Sequence, residues 1–158
     1  METNSSGAPS HSLIPFNDQY VRELGVATYI FSYLEWGIVW SIECLEHGYI
    51  NMASKGTAGA IADKFKSVAS RSTVLPANIM VEIQMAADKF KALVTDRNML
   101  IHGNPYTAVT GSQQLLYNGK SGWREWSITD IQAVAAEFET LAIEVNRLFR
   151  AHLWALRS

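Results

Sequence analysis

The chain has 158 residues, 48% of them hydrophobic and 18% charged, with a formal net charge of −2. That length supports one domain with a real core and not two, and the mild negative balance excludes a global cationic field, so any nucleic-acid contact must come from a local patch. The single cysteine, Cys44, excludes an internal disulfide and, within an apolar run, reads as a small core residue in a reducing compartment.

Residues 1–16 begin polar and rich in Ser, Asn and Gly, without the basic start and apolar run of a secretory signal. They are expected to be a disordered leader, with a single domain over 17–158. The most apolar stretch, 24–45, is interrupted by Ser32, Glu35, Ser41 and Glu43, which a membrane span of about 20 apolar residues does not readily accept. The expectation is a cytoplasmic protein with no membrane partner.

Asn17 or Asp18 can accept hydrogen bonds from free amides at a helix start. Leu24, Phe31, Ile38 and Leu45 then recur every seven residues, with Thr28 and Ile42 beside them, which predicts a helix over about 18–47, ended by Gly48. Ser54, Gly56 and Thr57 open a shorter second helix carrying Ile61, Phe65 and Val68, closed by Ser70 to Thr73. Pro76 suits the first turn of a third helix, where its missing amide costs no internal bond. The stripe of Ile79, Ile83, Ala86, Phe90, Leu93 or Val94, Leu100 and Ile101 carries that helix to Gly103 and Pro105, which stop it.

Three short β-prone runs follow, 106–110, 113–117 and 123–128, separated by Gly111-Ser112 and by 118–122. They predict a small hairpin or three-stranded flap. Ser127 with Asp130, or Thr129 with Gln132, can cap a last helix whose stripe is Ile131, Val134, Phe138, Leu141, Val145 and Leu148. The expected fold is all-α: a four-helix up-and-down bundle with a small β-hairpin or flap inserted before the last helix.

Two charges interrupt the apolar stripes. At about 100° per residue, Glu35 falls within about 60° of Phe31 and Ile38 on the first helix, and Arg97 within about 60° of Ile83, Phe90 and Ile101 on the third. Burying a lone charge costs several kcal/mol, so a Glu35 to Arg97 contact is expected. The alternative is that each lays its stem on the core and its head in water. His102 lies five residues beyond Arg97, about 140° away on a continuous helix. The two converge only if the helix breaks or a second copy completes the site about a two-fold axis. The surplus of aromatics on the first helix, Tyr29, Phe31, Tyr33, Trp36 and Trp40, exceeds what one small bundle easily hides and also points to a homodimer.

No cofactor or metal is expected, because His11, His47 and His152 show no ligand spacing. Lys55-Gly56-Thr57-Ala58-Gly59 lacks the full phosphate-loop spacing and reads as a helix start. Trp123 and Trp126 flank Arg124 and, with Tyr106, Tyr117 and Lys120, could stack bases or simply cover the bundle's end. In a strand the two tryptophans face opposite sides, so one belongs to the core.

The pattern Arg97-Asn98-Met99-Leu100-Ile101-His102 on the penultimate helix of an all-helical domain resembles the HEPN superfamily. With Leu34-Glu35-Trp36 and Gly103 it is similar to bacterial HEPN-like proteins of unknown function. The resemblance spans about 18–152 loosely and is specific in six residues. It implies a metal-independent endoribonuclease acting as a homodimer, in a toxin or defence setting with a neutralising protein partner, or else a non-catalytic relative that binds RNA or protein. Under it Arg97 would hold the scissile phosphate and His102 would move protons at the 2′-hydroxyl or the leaving oxygen, since imidazole titrates near neutrality. Asn98 would orient either, and Glu35 would support Arg97. Asn104, Tyr106, Lys120 and Arg124 are the candidate substrate contacts.

Overall fold

The computed structural model describes residues 16–119 and 122–157. The expected leader therefore lies, except for Phe16, outside the described residues, as does Lys120. The first helix, α1 (Asp18–Leu45), starts where the Asn17 side chain accepts the Tyr20 amide. Its core stripe of Phe31, Leu34, Ile38 and Ile42 is fully or almost fully buried. The helix ends two residues earlier than expected, because Glu43 turns back on the following loop. Its carboxylate accepts the Gly48 and Ile50 amides, each at 2.9 Å, and Gly48 takes the left-handed φ of +91° that this turn needs.

A one-turn helix, α2 (Ile50–Ala53), occupies the connection to α3 (Ala58–Arg71), which Thr57 caps by accepting the Ala60 amide. The next helix, α4 (Ala77–His102), begins directly after Pro76 and runs unbroken through the six-residue pattern. It stops because Asn104, preceding Pro105, is pushed to extended backbone. Gly103 meets a second demand. A Cβ there would lie 2.9 Å from both Leu115 Cβ and the Met99 carbonyl, so only glycine lets the first strand turn tightly off the helix.

The flap is a three-stranded antiparallel sheet, β1 (Asn104–Thr107), β2 (Gln113–Gly119) and β3 (Gly122–Trp126), in that spatial order. Pro105 faces Leu115, which in turn faces Trp126. Trp126 is fully buried and Trp123 is 70% exposed, as strand alternation requires. The last long helix, α5 (Ile128–Leu148), opens on a complete capping box of Ser127 and Asp130, and its entire expected stripe is buried. A π-helical turn (Phe149–Leu153) and a short 3-10 turn (Trp154–Leu156) end the described chain.

Among the described residues the fold is thus mostly helical, five α-helices with one small sheet between α4 and α5. Ion pairs Asp63 to Lys91 and Lys66 to Asp88 set α3 antiparallel to α4. Lys89 to Glu144 and Glu82 to Arg147 do the same for α4 and α5. The contacts of α1 with α5 advance in one direction along both helices: Phe31 meets Phe138, and further on Gly37 faces Val145. These two helices run parallel, so the chain does not follow the strict up-and-down alternation expected. The connection through α2 is the reason, since it carries the chain part of the way back before α3 begins.

Tyr20 fastens the flap to the helices. Only 4% exposed, it donates from its phenol to the Trp126 carbonyl at 2.7 Å. Burial pushes its pKa up to about 12, partly offset by the Leu115 backbone amide. Among the described residues, no helix is long and apolar enough to cross a membrane.

Candidate functional site

The pairs that join α3 to α4 fix how far α3 reaches. Asp63 with Lys91, Lys66 with Asp88 and Ser70 with Gln84 all keep one register. Continuing it brings Ala58, the first residue of α3, level with Asp96. The last turn and a half of α4 extends beyond the shorter helix. This is why Ile101 is 47% exposed although it lies on the core stripe, and why Arg97, first beyond the cover, is half-buried.

The Arg97 guanidinium donates to Asn98 Oδ1 at 3.0 Å and sits 5.3 Å from the centroid of the Phe31 ring. That contact joins α1 to α4 by cation–π attraction, of about 0.5–2 kcal/mol for such pairs. Glu35 is half-buried one turn along α1. Burial pushes its carboxyl upward, and the nearby Arg97 charge pulls it partly back. The expected Glu35 to Arg97 contact is corrected here: the two feel each other's field but form no ion pair, because the guanidinium is held by Asn98 and Phe31 instead.

His102 is the last residue of α4 and is exposed. Since α4 stays helical to that point, Arg97 and His102 leave the axis about 140° apart, and a break after Ile101 is ruled out as the means of bringing them together. No protein-family model matches the chain, and neither a curated protein nor a solved structure matches it. The site is therefore read from its own geometry.

Of the candidate substrate contacts, Asn104 is exposed at the start of β1. Tyr106 is half-buried with its phenol 3.4 Å from Gln114 Oε1. A hydrogen bond with the Glu125 side chain pushes its pKa upward. Arg124 is already engaged. Its guanidinium pairs with Asp96 at 3.1 Å and lies 3.8 Å from the centroid of the Trp126 ring.

Two contributors escaped sequence reasoning, Phe31 as the platform under Arg97 and Asp96 as the anchor for Arg124. Asp96 had a weak signal in its place directly before Arg97. The Phe31 contact had none, because it depends on how α1 and α4 meet. Cys44 is buried, and burial pushes its thiol upward, as for a core residue. Among the described residues, no three His, Cys, Asp or Glu side chains converge as a metal-binding group.

Proposed function

We propose that this chain is a metal-independent endoribonuclease of the HEPN type, working in the cytoplasm as a homodimer through Arg97 and His102. In this reading the long helices form one HEPN-like four-helix bundle. The observation that carries it is the placing of a fixed guanidinium where α3 stops covering α4, with an exposed imidazole just over a turn further on. A cation held on two sides is already oriented before substrate arrives, which is what stabilising a developing charge demands.

RNA brings its own nucleophile. A neutral His102 takes the 2′-hydroxyl proton, and the 2′-oxygen then bonds to phosphorus while Arg97 opposes the charge gathering on the non-bridging oxygens. The bond from phosphorus to the 5′-oxygen breaks, and that oxygen takes a proton from an imidazolium. The products are a 2′,3′-cyclic phosphate and a 5′-hydroxyl. Because Arg97 and His102 leave one helix in different directions, a second copy about a two-fold axis supplies the histidine that faces Arg97.

The test is cleavage of single-stranded RNA by the purified full chain with divalent metal chelated. Arg97→Ala and His102→Ala should each lower the rate by about 10²–10⁴-fold, with helical circular dichroism unchanged. A wild-type chain that cleaves no RNA under these conditions overturns the reading. A second reading, a non-catalytic module that binds RNA or protein, is favoured by the outward tyrosines and tryptophans of α1. It expects the same substitutions to alter stability or partner binding with no cleavage to lose. A toxin role adds growth arrest on expression, relieved by a neutralising protein.

A further inference from the structure

Helix α1 carries two apolar stripes on opposite faces. The buried residues Ala27, Phe31, Leu34 and Ile38 each have an aromatic residue two positions later, Tyr29, Tyr33, Trp36 and Trp40. Two positions are about 200° on a helix, so the aromatic stripe lies on the face opposite the buried one, with Trp36 and Trp40 beside Ala142, Asn146 and Phe149. Their exposures are 75%, 56%, 46% and 36%, and Val26 on the same stripe is 42% exposed.

The spacing of this outer stripe is palindromic. Arg22, Val26, Tyr29, Tyr33, Trp36 and Trp40 follow at intervals of four, three, four, three and four. Reversed, the pattern falls on itself. An antiparallel copy sets Arg22 against Trp40, Val26 against Trp36 and Tyr29 against Tyr33, the alternating pairing of a coiled-coil seam. We propose that the outer face of α1 docks on the same face of a second copy of this chain, antiparallel and in this register.

Charge favours this occupant. Arg22 is the only cation in α1, and between Glu23 and Glu43 the only charged residue is Glu35, which lies toward the core side. On α1 the middle of the seam is therefore aromatic and uncharged, like the core of a specific interface, with Glu139 of α5 beside Tyr29 and Tyr33 at its rim. Trp40 already accepts a cation within one chain, the Arg157 guanidinium at 5.4 Å from its ring centroid. The register places Arg22 of the second copy at the Trp40 end of the seam, outside its uncharged middle. A parallel pairing would instead set Arg22 against Arg22.

Area agrees. At the ~150–250 Å² that a fully covered aromatic side chain buries, these exposures leave on the order of 500 Å² per copy. Two copies reach roughly 1,000 Å² before neighbouring side chains are counted, the lower bound for a specific interface. The seam does not rest on the nuclease reading, because it lies on the face of α1 away from Phe31 and Arg97.

Sedimentation velocity of the full chain tests it. Wild type should associate, with a species at least twice the 17.6 kDa chain mass. Trp36→Glu and, independently, Tyr29→Glu should weaken association by at least about tenfold with the fold intact. Arg97→Ala should leave this association unchanged. For the register, Val26→Cys and Trp36→Cys are made separately in a Cys44→Ala background. Oxidation should cross-link the mixture but neither alone, since like positions lie ten residues, about 15 Å, apart along the seam.

A monomeric wild type, association indifferent to both glutamates, or cross-linking of either cysteine variant alone overturns the proposal. So does a monomer whose tryptophan fluorescence is quenched by single-stranded RNA, which assigns the stripe to bases. A seam that behaves as described in a chain that cleaves no RNA upholds the seam and removes the nuclease reading. Cleavage by a Trp36→Glu chain that sediments as a strict monomer upholds both the seam and the nuclease and removes the need for a composite cleft, which would form through a different face from the seam.

Discussion

Replacing Tyr20 by Phe removes one oxygen from the joint between α1 and the flap, and its effect should reverse sign with pH. At pH 8 the variant loses the 2.7 Å bond to the Trp126 carbonyl, at a cost of about 1 kcal/mol. The alkaline limb runs the other way. A phenol whose pKa is raised from 10.0 to about 12 on folding contributes stability that is fully present below pH 10. That stability is lost as pH rises toward 12, because the unfolded chain releases the proton first. Two units correspond to about 3 kcal/mol. Wild type is therefore the more stable protein at pH 8 and the less stable one at pH 12, and the two curves cross between about pH 10 and 11.

Urea unfolding at fixed protein concentration, followed by tryptophan fluorescence from pH 8 to 11.5, measures the crossing. Tyr49 and Tyr106 are also shifted upward, Tyr49 chiefly by burial and Tyr106 chiefly by its bond to Glu125. Tyr49 tilts both curves alike and cancels in the difference, whereas Tyr106, whose charge also pushes the Tyr20 phenol upward, adds to the alkaline slope of the difference. A stability difference that stays constant across this range refutes the argument, since it would mean that the Tyr20 phenol titrates equally in both states.

Glu43 works in the opposite direction. The Gly48 and Ile50 amides, and then His47, hold its carboxyl below the usual range, so its contribution is present above the unfolded value and lost as pH falls through the folded one. Glu43→Gln should be less stable at pH 7 and show a flatter acid limb in thermal melts between pH 7 and 3. Gly103→Ala forces a methyl within 2.9 Å of Leu115 and the Met99 carbonyl. It should cost about 1–3 kcal/mol, read as a fall of several degrees in Tm by calorimetry, and it should lower any RNA cleavage by shifting β1 off the end of α4.

Local chemistry made much of the fold legible. Asn17, Thr57 and the Ser127 and Asp130 pair cap the helices that the sequence assigns to them, because a cap needs only a side-chain oxygen and an amide two or three residues away. The core stripes were readable for the same reason, since burial follows the period of the helix. What escaped was set by distant elements. Nothing near α1 or α5 in sequence says that they run parallel. Nothing near Arg124 says that its partner is Asp96, across the boundary between flap and helix.

The candidate site shows how the two kinds of information combine. Arg97 is recognisable as an oddity because it stands on an apolar stripe, and angular arithmetic alone led to the expectation that Glu35 would neutralise it. That expectation assumed a covered stripe. The 14-residue α3 reaches only to the level of Asp96 while α4 continues to His102, so Arg97 is half open to water and Ile101 exposed although Leu100 stays buried, and the guanidinium needs no buried counter-ion. It is held by Asn98 and by the face of Phe31 instead, with Glu35 supplying a field and no bond. An arginine fixed in this way keeps its charge available for an anion, whereas one locked in a buried ion pair would have to break that pair first.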